Sequence, residues 1–123
     1  MGRRGFTLIE LLVVMAIVAT LLSIVAPHYF RHLDQARETA LRQTLAVVRD
    51  AIDKYHADKG KYPPTLEDLV DQRYLRQLPA DPIAGKEAPW TLVPPPDEVG
   101  GGVWDVHSGA AGAGSDGVAY GDY

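Results

Sequence analysis

The sequence predicts an α+β chain: one long N-terminal α-helix, apolar and membrane-spanning in its first half, packed by its C-terminal half against a small antiparallel β-sheet. Three observations predict it. Of the 21 residues from Phe6 to Ala26, 17 are hydrophobic, against 39 of the 97 residues from Pro27 onward. Apolar residues then recur at intervals of three and four as far as Tyr55, the period of one helical face. Beyond Lys59 lie 10 of the 12 glycines and 8 of the 9 prolines, so regular helix gives way there to short elements and turns.

The first element is set by length and charge. Leu8 to Ala26 is 19 residues, which as a helix measures roughly 28 Å, about the thickness of a bilayer's hydrocarbon core. Arg3 and Arg4 precede it, which predicts a cytoplasmic amino end and residues 27 onward outside. A secretory signal would end in a small-x-small cleavage site. Here the run ends Ile24-Val25-Ala26-Pro27, with bulky Ile24 at the −3 position and proline directly after the cut, so an anchor is favoured over a signal peptide.

Glu10 is the anomaly. A carboxylate near the start of an apolar helix is expensive unless it is paired, protonated or functional. A cut after Gly5 would make Phe6 the new amino terminus and place its ammonium one turn from Glu10, on the same face. Made within one chain, that pair neutralises the charge. Made between chains, it also fixes register, because any other offset leaves both charges unpaired in a low-dielectric bundle.

Arg3-Arg4-Gly5 followed by Phe6-Thr-Leu-Ile-Glu10-Leu-Leu-Val-Val resembles the class III leader of type IV pilins and type II secretion pseudopilins. The resemblance implies cleavage after Gly5 by a prepilin peptidase, N-methylation of Phe6, and a role for Glu10 in subunit recruitment and assembly. Pro27 matches a proline that commonly punctuates the helix of these proteins, where its missing N–H and its ring loosen the ladder. The fold implied is type IV pilin-like.

From Pro27 the apolar stripe runs through Tyr29, Phe30, Leu33, Ala36, Ala40, Leu41, Thr44, Leu45, Val48, Ile52 and Tyr55. The other face carries Arg31, Asp34, Arg37, Glu38, Arg42, Arg49, Asp50, Asp53 and Lys54, read as a solvated face, with Glu38–Arg42 and Asp50–Lys54 at favourable i,i+4 spacing. Gly60 is the expected stop. Thr65 is an N-cap for a short helix running towards Arg73. Trp90 to Val93 and Val103 to His107 read as strands of a hairpin joined by a loose loop over 94–102. Trp90, Trp104, Leu66, Leu69, Leu75 and Leu78 are the expected core, both tryptophans being packing residues. The expected organisation is a leader at 1–5, a transmembrane and polymerisation segment at 6–27, and a globular domain at 28–123. That domain divides into helix 28–59, a variable segment 60–89, hairpin 90–107 and a C-terminal loop 108–123.

Composition excludes several functions. From Pro27 onward there are 10 basic and 15 acidic residues, a net charge of −5, unfavourable for a nucleic-acid partner. Cysteine is absent from the sequence, which rules out disulfides and thiolate chemistry. Gly100-Gly101-Gly102 lacks the continuation of a phosphate loop, and His107 beside Ser108 or Ser115 is insufficient for a catalytic triad, so an enzyme is not expected. His28 and His32 lie one turn apart without a third ligand and read as polar surface at the membrane boundary.

The run Tyr55 … Gly60-Lys61-Tyr62-Pro63 … Leu66-Glu67-Asp68-Leu69 … Leu78-Pro79-x-Asp81-Pro82, with Trp104-Asp105-Val106-His107-Ser108-Gly109, resembles the G-type major pseudopilins. That implies a helical homopolymer in the periplasm, assembled from an inner-membrane store with minor pseudopilins and an inner-membrane assembly platform, driving export of folded proteins. It also implies calcium in the last loop, for which Ser108, Asp116 and Asp122 are the candidate ligands. Ala111 stands where the pattern has an aspartate, and Asp116-Gly117 is the candidate replacement after a shifted loop. The competing reading leaves Asp116 and Asp122 as turn residues. Two alternatives to the function stand beside it: a type IV pilin or minor pilin for adhesion, motility or DNA uptake, and a membrane-anchored binding domain that never polymerises.

Overall fold

The computed structural model describes residues 4–86, 89–96 and 101–123. The chain forms two units, Met1–Leu33 and Asp34–Tyr123. Helix α1 spans Leu8–Lys59 and contains Pro27. It is long and apolar enough to cross a membrane.

In the unit up to Leu33, every large apolar side chain from Phe6 to Val25 is exposed. Two hydroxyls within the helix are satisfied there, Thr20 Oγ1 donating to the Ala16 carbonyl at 2.8 Å and Ser23 Oγ to the Thr20 carbonyl at 2.6 Å. Pro27 has no N–H to offer the Ser23 carbonyl four residues earlier. Tyr29 and Phe30, expected in the packed stripe, are exposed as well, their rings meeting edge to face at 5.8 Å. Among the described residues of this unit helix α1 is the one regular element, with no second layer to cover them.

In the unit from Asp34, burial follows the predicted period. Ala36 is still exposed, but Leu41, Leu45, Val48 and Ile52 are at most 1% exposed, and Ala51 and Tyr55 complete the stripe. Fully burying such a side chain is worth about 1.5–3 kcal/mol. Gly60 ends α1 at φ +72°, its amide donating to the His56 carbonyl at 2.8 Å. This is the left-handed position glycine occupies without steric penalty.

Helix α2 covers Leu66–Asp71 and buries Leu66 and Leu69. The Asp68 carboxylate accepts the Thr65 amide at 3.2 Å, tying off the helix start. The helix is shorter than predicted because Arg73 takes φ +66° and the Leu69 carbonyl accepts both the Tyr74 and Leu75 amides, at 2.8 and 3.0 Å. That reversal returns Leu75 to the core.

Strands β1 (Thr91–Val93) and β2 (Asp105–His107) pair antiparallel, Thr91 opposite His107 and Val93 opposite Asp105. The predicted hairpin is present with shorter strands, and residues 97–100 of its expected loop lie outside the described residues. Trp90 is in the core as expected, and it and Val103 lie just outside the strands, fastened to the preceding segment. Trp90 Nε1 donates to the Pro79 carbonyl at 2.9 Å and the Val103 amide to the Pro63 carbonyl at 2.8 Å. Trp104 is not in the core as expected but 42% exposed. Trp104 sits at a bend between buried Val103 and the strand that buries Val106, and the bend turns its ring outward. Leu78 is half-buried against the core rather than inside it. A single 3-10 turn, Tyr120–Asp122, closes the described chain.

Candidate functional site

The first candidate site is the helix start. Gly5, Phe6 and Glu10 are all exposed. The Glu10 amide donates to Thr7 Oγ1 at 3.2 Å, while the Thr7 amide reaches back to Glu10 Oε2 at 3.4 Å. This is a reciprocal capping box, satisfying two of the donors that a helix N-terminus leaves free. With residues 1–5 attached, the carboxylate is thus occupied by Thr7 rather than by an amine at Phe6. The Thr-x-x-Glu spacing is itself the sequence signature of such a box, so Thr7 was open to detection from the sequence. Pro27 lies inside α1, and the helix continues through it.

The second is the C-terminal loop. Ser108 is buried, and its hydroxyl donates to Asp81 Oδ2 while accepting the Ala110 amide at 3.1 Å. The other Asp81 oxygen accepts the Ile83 and Ala84 amides at 2.8 and 3.1 Å. Asp116 Oδ1 accepts the Val118 amide at 3.1 Å and Oδ2 takes Arg42 Nη2 at 2.7 Å. The Val118 amide and then the Arg42 guanidinium hold the Asp116 carboxyl below its ordinary value. Arg42 also lies 4.6 Å from the centre of the Tyr123 ring.

Two further residues of α1 complete the attachment. Glu38, 8% exposed, accepts the Ser115 amide at 2.6 Å and the Ser115 hydroxyl at 2.8 Å. Arg49 pairs with Asp105 at 2.7 Å and donates to the main-chain oxygens of Val106 and Tyr123 at 2.9 and 2.6 Å. The charges read as a solvated face are therefore divided. Asp50 and Lys54 pair with each other at 2.8 Å, as their spacing predicts. Glu38 and Arg42 do not pair; they reach past each other to Ser115 and Asp116, because a buried carboxylate is better satisfied by two donors than by one exposed cation.

Asp116 and Asp122 line one open groove of about 370 Å³, together with Arg42 and Arg49. Ser108 does not line it. Its hydroxyl belongs to the Asp81 cluster. Asp81, Glu38, Arg42 and Arg49 were not singled out from the sequence as parts of this loop, their partners lying far away along the chain.

Comparison with known proteins bears on the helix start and on the family of the chain. The prokaryotic N-terminal methylation motif matches residues 1–26. The type II secretion system core protein G of Pseudomonas aeruginosa is 34% identical, over 65% of this chain and 68% of the relative. That of Klebsiella michiganensis is 31% identical, over 68% of this chain and 70% of the relative. The chain belongs to the type II secretion core protein G family. The Escherichia coli K12 member is 32% identical, over 65% of this chain and 66% of its own length, so the match spans about two thirds of each relative. Solved structures give no significant match. As a G-type pseudopilin the chain is a structural subunit, and neither the pilin nor the non-polymerising alternative is favoured by these relatives.

The calcium expected in G-type pseudopilins does not fit the residues as they stand. Calcium takes six to eight oxygens and is drawn to uncompensated carboxylates. One Asp116 oxygen is already on a guanidinium, the Ser108 hydroxyl is turned to Asp81, and position 111 is alanine. Among the described residues no group of three or more His, Asp or Glu side chains converges as a metal site.

Proposed function

We propose that the chain is the major pseudopilin of a type II secretion system, cut after Gly5 by a prepilin peptidase and N-methylated on Phe6. Its apolar segment is stored in the inner membrane with the body on the periplasmic side. It is then drawn into a helical homopolymer that pushes folded proteins outward, with minor pseudopilins and an inner-membrane assembly platform as partners. Its role is mechanical rather than catalytic. The observation that carries this reading is the joining of the methylation motif at residues 1–26 to a G-type body.

The exposed side chains from Phe6 to Val25 support it, since apolar surface of that extent needs lipid or other helices around it. Exchanging lipid for neighbouring helices gains no new burial from water, so packing and polar contacts must set register. Glu10 is the one carboxylate in this segment. After the cut, the Phe6 ammonium of the same or a neighbouring chain competes with the Thr7 amide for it, and a charged donor makes the stronger bond.

Mass spectrometry of membrane-extracted protein tests the processing step. N-methylphenylalanine at position 6 is the expected terminus, and an intact leader in cells that contain the peptidase would refute it. Glu10→Ala is expected to insert and be cleaved normally yet yield no filaments when the chain is overproduced with its secretion system. Filaments of normal length and number from that variant would end the register argument.

A further inference from the structure

We infer that the C-terminal loop of this pseudopilin is held by arginine and glutamate side chains of α1 in place of a bound calcium ion, so that the fold does not depend on calcium. Three residues of α1 do this: Glu38, Arg42 and Arg49. They are separated by four and seven positions, spacings that return to one side of a helix. Each takes a different part of the loop. Glu38 holds Ser115 through main chain and hydroxyl, Arg42 holds Asp116, and Arg49 holds the main-chain oxygen of Tyr123 while also binding Asp105 of β2.

An ion organises a loop by drawing scattered oxygens to one positive centre. Here two fixed guanidinium groups supply that positive charge, at 2.7 Å from a carboxylate and 2.6 Å from a main-chain oxygen. The loop closes on itself around these points. The Gly114 amide donates to the Val118 carbonyl at 2.9 Å, Tyr120 to Gly112 at 3.1 Å, and the Tyr120 and Tyr123 rings meet at 5.6 Å. A divalent ion entering the groove beside Asp116 and Asp122 would face both arginines, whose charge repels it. The alanine at 111 is consistent with this. With Asp116 already paired to a guanidinium, the loop is held without a carboxylate at 111.

Glu38 makes the arrangement more than a surface ion pair. Exposed pairs such as Arg42–Asp116 contribute little alone, but a buried carboxylate accepting two bonds from one loop residue fixes that residue's position. Arg42 and Arg49 then act on a loop whose path is already defined. This inference does not rest on filament formation; it concerns how one subunit folds, and the secretion reading could fail without touching it.

The test uses the full chain in detergent. Wild-type protein is melted, and the exposure of residues 109–123 followed by hydrogen exchange, in excess calcium and in excess chelator. The two conditions are expected to superimpose. Arg42→Ala, whose side chain is largely exposed and whose loss leaves the helix intact, is expected to exchange several-fold faster over 109–123, in calcium and in chelator alike. Arg42→Lys, which keeps the charge, is expected to fall between them without calcium dependence. A wild-type loop that loses protection in chelator overturns the inference, and so does an Arg42→Ala loop that exchanges at the wild-type rate.

Discussion

Within α1 the same 52-residue helix is treated in opposite ways on the two sides of Leu33. Before it, apolar side chains cover the whole circumference and every large one from Phe6 to Val25 is exposed; after it, a stripe from Leu41 to Tyr55 is buried while Val47, off the stripe, stays exposed. Hydrophobicity alone therefore does not say where a side chain ends up. What decides is whether the chain supplies a second layer. From Asp34 onward it does, with α2, the hairpin and the closing loop. Before Leu33 it does not, and the covering must come from lipid or from other subunits. The first segment is specified for partners, the second for itself.

The sharpest way to break this contrast is to truncate a leucine in each. Leu45→Ala should destabilise the body by about 2–5 kcal/mol, the range for emptying a leucine site in a packed core. Leu12→Ala should leave the body's melting temperature unchanged. Equal losses from the two variants would mean that the apolar segment contributes to the fold of the body. Next in size is Asp81→Ala, which strands the Ser108 hydroxyl and the Ile83 and Ala84 amides. About 1–3 kcal/mol of the body's stability should be lost in chemical denaturation. A change near zero would show those donors to be equally well served by water.

The smallest effect is one of pH. The Asp116 carboxyl lies below its ordinary value in the folded chain, so its contribution is complete above the unfolded value of about 4 and disappears as pH falls through the lower folded value. Hydrogen exchange over 109–123, corrected for its intrinsic pH dependence, should accelerate only in that acid window. The Asp116→Asn variant should show no such step, and a step retained in it would assign the titration to another carboxylate.

Much of this was legible in the sequence because it is local. The leader, the span, the stop at Gly60 and the start at Thr65 each depend on residues within a turn or two, and the period of the stripe from Leu41 to Tyr55 predicted its burial. Trp104 failed because it lies at a bend just before β2, where the alternation expected over 103–107 does not hold. Glu38, Arg42 and Arg49 failed because charge is a poor guide when the partner lies 74 to 77 residues away, as Asp116, Tyr123 and Ser115 do. A weak signal did exist. At about 100° per residue these three fall within an arc of roughly 40° that borders the apolar stripe. Charges at such a border are placed to reach what packs on the stripe.

Pro27 gives α1 an uneven stiffness. Everywhere else in the ladder, stretching the helix means breaking a rung, but at Ser23 the rung was never there. Lengthening the chain at that point therefore starts about 0.5–1.5 kcal/mol ahead of any neighbouring position, one hydrogen bond's net worth. A rod with one soft place yields there first under load, and the stiffer stretches on either side can keep their shape while it does.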